Sequence, residues 1–512
     1  MNWHGIMRSY ISRNLPAEAL ATYSRIRHDG LYIFGLVPLV FKACASLSVV
    51  NTGRALHAES VKFGADFDVV AATSMLDMYA KCGDIVASRQ VFDSMPKRNV
   101  VSWNAMIGGY VCNGDMKSAS ILFEQMPERT VVTWNEMVYG LAINGDIVNA
   151  RCMFDCVPTD LKNVVTWTVM IDGHATKGEM EAARELFEKM PEKNFFVWSS
   201  MISGYCKRGE VEQARVIFDR IPTRNLVIWN SLICGYTQNG FCEAALEAFG
   251  RMQAEGFEPD EVTVASLLSA CAHLGDLDNG TKIHQMIHYK RLKLNEFVLT
   301  ALIDMYAKCG DLTSARSLFE GMKDRNTASW NSMITGSASH GESEEALEFF
   351  RRMEDSNVKP DELTFLSVLS ACVHGGLVDE GLKIFHKMKS YAIVAGIKHY
   401  GCSVDLLGRA GRLEEAYALI KTMPIEPNHA VWGTLLGACQ IHLGTEMVRR
   451  VMKEVGADGS RSSGSCESHH VLLSNIYAAS ARWEKAERMR MTMSNKGVRK
   501  IPGSSSLISP TF

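Results

Sequence analysis

Apolar residues recur along this chain at intervals of three and four, the spacing that places side chains on one face of an α-helix. Within residues 164–194, Trp167, Met170, Ile171 and His174 share one such face, and Met180, Ala183, Phe187 and Met190 share a second. The polar break between them, Lys177-Gly178-Glu179, has counterparts in Asn-Gly-Asp at 113–115 and 144–146 and Arg-Gly-Glu at 208–210. Glycine there supplies the left-handed residue that ends a first helix, and the acid after it caps a second helix and meets its positive dipole end. Met-Pro at 95–96, 126–127, 190–191 and 423–424 closes the second helix, because proline cannot continue it. The pattern predicts helical hairpins.

The hairpins repeat. Trp103, Trp134, Trp167, Trp198 and Trp229 lie 31, 33, 31 and 31 residues apart. The 101 residues from Trp229 to Trp330 divide into strides of 35, 35 and 31 through Val264 and Leu299, and the 100 from Trp3 to Trp103 into 34, 35 and 31 through Val37 and Ala72. The segment Asp77 to Asp84 returns unchanged at Asp304 to Asp311. A lone hairpin cannot cover its apolar stripe, so neighbours must stack into a solenoid with a concave surface. The recurrent Trp, Met, Phe and Cys positions, Cys82 and Cys309 included, then read as buried hairpin core rather than a cofactor box.

Composition changes this picture little. A length of 512 residues suggests about three domains at roughly 150 residues each, whereas the repeat makes one array as far as about residue 428. With 47% apolar residues and 54 Lys+Arg against 57 Asp+Glu, the chain is neither disordered nor built to coat nucleic acid or membrane by bulk charge. Residues 449–500 are an exception, with 11 Lys/Arg against 5 Asp/Glu, and would suit RNA or an acidic partner as well as a solvated helix face. The 14 cysteines form no Cys-x-x-Cys pair, which favours a reduced intracellular compartment. No apolar run reaches 18 residues, so no membrane span is expected. No targeting leader is visible, and Trp3 already lies in a repeat helix, so the N-terminus is expected to be incomplete.

Catalytic signatures are few. A zinc deaminase needs His-x-Glu with Pro-Cys-x-x-Cys; His57-Ala58-Glu59 stands without the second half, and His469-His470 beside Cys466 lacks a fourth ligand. No phosphate loop, nucleophile elbow or zinc helix is present. The chain is expected not to be an enzyme and to carry no metal or other cofactor.

The units resemble pentatricopeptide repeats of the plant PLS class. The resemblance rests on Val-Val-Ser-Trp-Asn-Ala-Met-Ile-Gly-Gly-Tyr at 100–110, the Asn-Gly-Asp turn, Ala119, the closing Leu-Phe-Glu-Gln-Met-Pro at 122–127 and the mixed strides. Tetratricopeptide repeats keep a stride of about 34. Leu-Ser-Ala-Cys at 268–271 and 369–372 is similar to the family's L type. His399-Tyr400 with 405–416 resembles a last S-type repeat, 432–439 a first E motif, and 471–478 with 497–503 a second, which points to the E subgroup. Residues 456–468 depart from the family as a small polar loop, and Ser505-Ser506-Leu507 replaces the usual Ser-Trp-Ile. The implied fold is all-α, a right-handed superhelical solenoid of about thirteen helix-turn-helix repeats with C-terminal E motifs. Its parts would be a repeat array over 1–428, E1/E2 helical motifs over 429–503 and a short tail over 504–512.

The same resemblance implies sequence-specific binding of single-stranded RNA, one base per repeat. A polar residue after the Trp position would pair with the last residue of the repeat to read a base edge. Thr73 with Asn99 implies adenine, Asn104 with Thr130 a pyrimidine, and Asn135 with Asn163 cytosine. Thr168 with Asn194 and Ser199 with Asn225 imply adenine, Asn230 with Asp260 uracil, Thr300 with Asn326 adenine, and Asn331 with Asp361 uracil. Pro38, Ala265 and Leu366 cannot donate side-chain hydrogen bonds, and His4 and Gly401 give no assignment. The implied target is ?-?-A-Y-C-A-A-U-?-A-U-?-?, with Y a pyrimidine. Base-stacking residues would be Val101, Val132, Val165, Phe196, Val227 and Ala328. An Asn at the start of a helix is also a good N-cap, which is the competing explanation for the Asn after Trp.

In function, the resemblance implies an organellar site-recognition factor for C-to-U RNA editing, in the mitochondrion or alternatively the chloroplast. It would recruit a trans-acting DYW-type deaminase and multiple organellar RNA editing factors. Alternatives are an organellar RNA splicing, processing or stability factor and, in another class, a tetratricopeptide-like protein-binding scaffold.

Overall fold

Gly178 shows how the chain folds back on itself. Its φ of +79° is a conformation that a Cβ would strain. There its N–H donates to the Ala175 carbonyl at 3.1 Å and that of Glu179 to His174 at 2.9 Å, closing the helix Val164–Thr176. The second helix, Met180–Lys189, then runs back. In five hairpins an Asp heads this helix and caps it, as Asp115 does by accepting from the Ser118 N–H at 3.0 Å. Glu179 and Glu210, expected to cap likewise, make no side-chain cap bond. Their extra methylene carries the carboxylate past the orphan N–H groups; Glu179 takes the His174 ring at 2.8 Å and Glu210 pairs with Arg208 at 2.7 Å. Proline sets the far end: Met190, just before Pro191, has ψ 124° and a buried side chain.

The computed structural model describes residues 3–30, 33–64, 68–442, 444–457, 477–478 and 483–495. Among them these rules yield fourteen hairpins, from Trp3–Ser12 with Pro16–His28 to His429–Ile441 with Thr445–Ala457, and a further helix Trp483–Asn495. The described residues contain helices and no strand, and no helix is long and apolar enough to cross a membrane. Two compact units divide the chain, one of residues Met1–Asn239 with Ala248–Phe257 and one of Gly240–Glu247 with Glu258–Phe512. Within each, a first helix packs on its own second helix and on the first helices before and after it.

Glycine lets neighbouring first helices approach. A Cβ on Gly109 would lie 2.8 Å from the Ala80 Cβ, and one on Gly140 would lie 2.7 Å from Val111 Cγ2. Gly109→Ala is therefore expected to cost about 1–3 kcal/mol, because the opposing methyl stub cannot swing away. Gly250, in the helix Cys242–Ala254 with open space around it, should instead tolerate or gain from alanine. Urea midpoints of the two variants should move in opposite directions or only the first should fall.

An aromatic and cationic stack recurs at six joints between hairpins, each where the next first helix carries a Trp. Phe92 meets Trp103 edge to face at 5.0 Å, and Phe123–Trp134, Phe154–Trp167, Phe187–Trp198 and Phe218–Trp229 follow at 4.7 to 5.0 Å. The second unit repeats it with Phe319–Trp330 at 4.7 Å. Over each Phe sits the cation just before the repeat's terminal polar residue, as with Arg98 at 4.6 Å and Arg325 at 4.8 Å. Arg98 also donates to the Phe92 and Asp93 carbonyls at 2.9 and 3.0 Å, which ties the linker to the end of the second helix. Cys82 and Cys309, expected in the core, are half-buried C-caps of their helices, one step past the inward face.

Candidate nucleic-acid interface

The terminal residue of each repeat opens the next first helix. Asn99 accepts from the Ser102 backbone N–H at 2.9 Å, Asn163 from Thr166 at 3.0 Å, Asn194 from Val197 at 2.9 Å and Asn225 from Ile228 at 3.1 Å. Asp260, Asn326 and Asp361 do the same, and Thr130 donates its own N–H to Thr133 Oγ1 at 3.1 Å. These are N-caps, worth about 1 kcal/mol each. The residue after Trp lies five positions into the helix, so Asn104, Asn135, Asn230 and Asn331 are not caps. Capping explains the wrong member of each pair, and the competing explanation for these asparagines fails.

The two members of a pair meet directly in three cases. Asn135 Nδ2 donates to Asn163 Oδ1 at 3.3 Å, Asn194 Nδ2 to Thr168 Oγ1 at 3.4 Å and Asn331 Nδ2 to Asp361 Oδ1 at 3.0 Å. Asn104 reaches Thr130 through Thr133, whose hydroxyl donates to Asn104 Oδ1 at 2.7 Å and lies 3.2 Å from Thr130 Oγ1. Thr73 and Thr300 bond back to the Val69 and Glu296 carbonyls of their own helices, at 2.6 and 2.7 Å. Ser199 Oγ lies 2.7 Å from Ser231 Oγ. Asn230 and Asp260 fall in different units.

A threonine that motif reading missed fixes the asparagines. Thr166 and Thr364 donate to Asn135 Oδ1 and Asn331 Oδ1 at 2.6 Å, as Thr133 does to Asn104. The signal was present in the sequence: Thr133, Thr166, Thr263 and Thr364 stand three places after the terminal residue wherever the residue after Trp is Asn. Ser102, Val197, Ile228 and Ser329 stand there where it is Thr or Ser. With its carbonyl engaged, such an Asn has only its amide N–H groups left to offer, as donors. A Thr whose proton goes to its own helix presents only an acceptor.

Beside these pairs runs an exposed apolar row at the second position of the first helices. Val101, Val132, Val165, Phe196 and Val227 are 62, 54, 52, 70 and 48% exposed, and Ala328 is exposed as well. Val70 and Val262, Phe297 and Leu363 hold the same position, at 60, 47, 59 and 52% exposure. They were missed because no Trp marks their hairpins. In the first unit a cleft of about 550 Å³ brings Thr73, Val101, Asn104, Val132 and Glu136 together with Lys42. Asp361 sits in this setting in the second unit: burial opposes its charge, but the Thr364 N–H and the Asn331 amide hold its carboxyl below the usual carboxylate range.

Other candidates resolve into structure. His57 Nδ1 lies 3.0 Å from the Tyr79 hydroxyl and Glu59 pairs with Arg27, which accounts for the His-x-Glu segment. Among the described residues no group of three His, Cys, Asp or Glu is placed to hold a metal ion. The segment 432–439 forms most of the helix His429–Ile441, where Trp432, Leu435 and Leu436 pack on Val404, Leu407 and Ile420 of the preceding hairpin. Most of the 456–468 loop, Cys466, His469, His470 and the 504–512 tail lie outside the described residues.

Comparison with known proteins finds repeats of one family along the chain. A PPR repeat model matches residues 70–100, 101–131, 196–226, 297–327 and 363–393, a PPR repeat family model 162–197, 224–273 and 325–374, and an E motif model 464–508. A pentatricopeptide repeat-containing protein of Arabidopsis thaliana is 50% identical over 505 residues, covering 98% of this chain and 97% of its own. A second from the same plant, named chloroplastic, is 37% identical over 99% of this chain, which spans 59% of that protein's length. Another match is named mitochondrial. Among solved structures, PPR10 from maize superposes with a TM-score of 0.62 at 17% identity, over 97% of this chain and 79% of that one, and has also been solved with an 18-nucleotide psaJ RNA element.

Proposed function

The chain belongs to the pentatricopeptide repeat family, and from that premise we propose that it binds one single-stranded organellar transcript base by base and marks a site for cytidine-to-uridine editing 3′ of its footprint. One observation carries this reading: an exposed apolar residue, a polar residue and the next helix's N-cap recur together on successive first helices. The apolar row offers faces on which bases stack, and the polar pair offers donors and acceptors to the base edge.

The chemistry of six of the eight pairs fits the assigned base. The acceptor-only hydroxyls of Thr73, Thr168 and Thr300 match the amino group of adenine. The amide donors of Asn104, Asn135 and Asn331 match the carbonyl oxygens of pyrimidines. The terminal residue then separates the pyrimidines, since Asp361 can only accept and suits the uracil N3–H, while Asn163 can donate to the cytosine N3. The protein acts by binding, with residues 1–428 as the reading array and 429–503 as the surface for a trans-acting deaminase of the DYW type and its accessory editing factors. The E motif supports editing, and the relatives named chloroplastic and mitochondrial support an organellar site.

Filter binding tests the reading directly. A 13-nucleotide RNA carrying the A-Y-C-A-A-U and A-U blocks should bind at least about ten-fold more tightly than one with those bases exchanged, each mismatch weakening binding. Equal affinity across all exchanges would end the base-reading assignment. Transcript sequencing in plants lacking the protein should show one unedited cytidine; a splicing or processing defect with editing intact would favour the other organellar role.

A further inference from the structure

Glu136 is unlike every residue at its position. It is the sixth residue of the helix Val131–Ile143, where the other marked hairpins carry Ser74, Ala105, Val169, Ser200, Ser231, Ala301 and Ser332. That position faces the preceding first helix, and some of its serines find partners there, whereas Ser74 and Ser332 bond back to the Val70 and Ala328 carbonyls of their own helices. Ser200 donates to Asp172 at 2.7 Å, and Ser231 meets the pair residue Ser199 at 2.7 Å. Ser367, at the same place in the second unit, meets Thr335 at 2.8 Å. Asp172 and Thr335 are the ninth residues of their helices, and the ninth residue opposite Glu136 is Gly108, which has no side chain to offer. A Cβ built on Gly108 would lie 3.5 Å from Glu136 Oε1, so the carboxyl rests against this gap.

Glu136 Oε2 is buried without a hydrogen-bond partner, an unfavourable arrangement for a charged group. Burial alone pushes its pKa up to about 7. The same carboxyl lines the cleft that contains Asn104 and is bounded by Val101 and Val132, the position of the fourth base of the target. Asn104 faces that base with an amide donor, which distinguishes a pyrimidine from adenine but not cytosine from uracil, because both pyrimidines carry a carbonyl at O2.

We propose that Glu136 is a specificity-determining residue whose carboxylate accepts a hydrogen bond from the exocyclic amino group of cytosine at the fourth nucleotide, selecting it over uracil. The inference rests on the base-reading function above. Uracil would turn its O4 acceptor toward the same oxygen and leave the carboxylate both unpaired and repelled. The unresolved pyrimidine of the target becomes cytosine, giving A-C-C-A-A-U at the third to eighth positions.

The test uses the full chain at pH 8, where a group titrating at about 7 is mostly ionised, and two 13-nucleotide RNAs differing only in C or U at the fourth position. The native chain should prefer C about ten-fold, the scale of one charge-assisted hydrogen bond, and Glu136→Gln, which can donate as well as accept, should bind both within about two-fold. Glu136→Ala should also lose the preference, and circular dichroism checks that both variants fold. Equal binding of C and U by the native chain, or an undiminished preference in Glu136→Gln, overturns the proposal. An A-against-U exchange at the tenth nucleotide, read by Thr300 and Asn326, is run alongside. If that preference is present while the fourth is indifferent, the role of Glu136 fails alone; if neither position discriminates, the base-reading function fails with it.

Discussion

Thr300→Asn combined with Asn326→Asp is expected to turn the tenth nucleotide of the target from A to U, changing the preference at that position by about ten-fold or more in each direction. Thr300 now donates its proton to the Glu296 carbonyl at 2.7 Å and leaves an acceptor for the adenine amino group. An Asn there offers an amide N–H to a uracil carbonyl, and an ionised Asp at 326 accepts from N3–H but repels the N1 lone pair of adenine. The Asn331 and Asp361 pair has this chemistry already, with its two side chains 3.0 Å apart. One difference remains, because Thr364 locks the Asn331 amide while Ser329 donates to the Asn326 carbonyl instead. Adding Ser329→Thr should therefore sharpen the switch. Filter binding with A and U oligonucleotides measures it, and an unchanged ratio in the double and triple variants would exclude these residues from base reading.

The largest loss of stability is expected from Phe319→Ala, at about 3–5 kcal/mol. Phe319 is fully buried, edge to face with Trp330 at 4.7 Å and with Phe349 at 5.6 Å. The Arg325 guanidinium covers its ring at 4.8 Å and donates to the Phe319 carbonyl at 3.0 Å. Truncation leaves a cavity between two hairpins and removes the platform that holds the linker before Asn326. The urea midpoint should fall well below that of Arg325→Ala, which loses the cation but keeps the ring. In conditions where Phe319→Ala remains folded, selectivity at the tenth nucleotide should weaken more than at the eleventh, since Asp361 is set by its own hairpin. A stability change with no local loss of selectivity would mean that the aromatic joint does not position the reading residue.

Much of the fold is legible because its determinants are local. The left-handed glycine at 178, the Met-Pro stop at 190–191 and the three-four spacing each act within one or two helical turns. Chain length misleads for the same reason, since a repeat is stabilised by its neighbours and not by one large core. The exceptions lie where chemistry one atom longer changes the outcome. Glu179 and Glu210 occupy a capping position without capping, and Cys82 and Cys309 fall just past the inward face.

The interface is legible only in part. Sequence alone determined the hairpins, their period, the polar pairs and six of the exposed apolar positions, because each follows from a residue's place within its own repeat. Tertiary structure decided which pair members touch, that a threonine from the next helix fixes the amides of Asn104, Asn135 and Asn331, and that Glu136 faces a glycine. Those outcomes depend on side chains about thirty residues apart meeting across stacked helices. Such contacts are set by the packing of neighbouring hairpins, and no spacing within a single repeat encodes them.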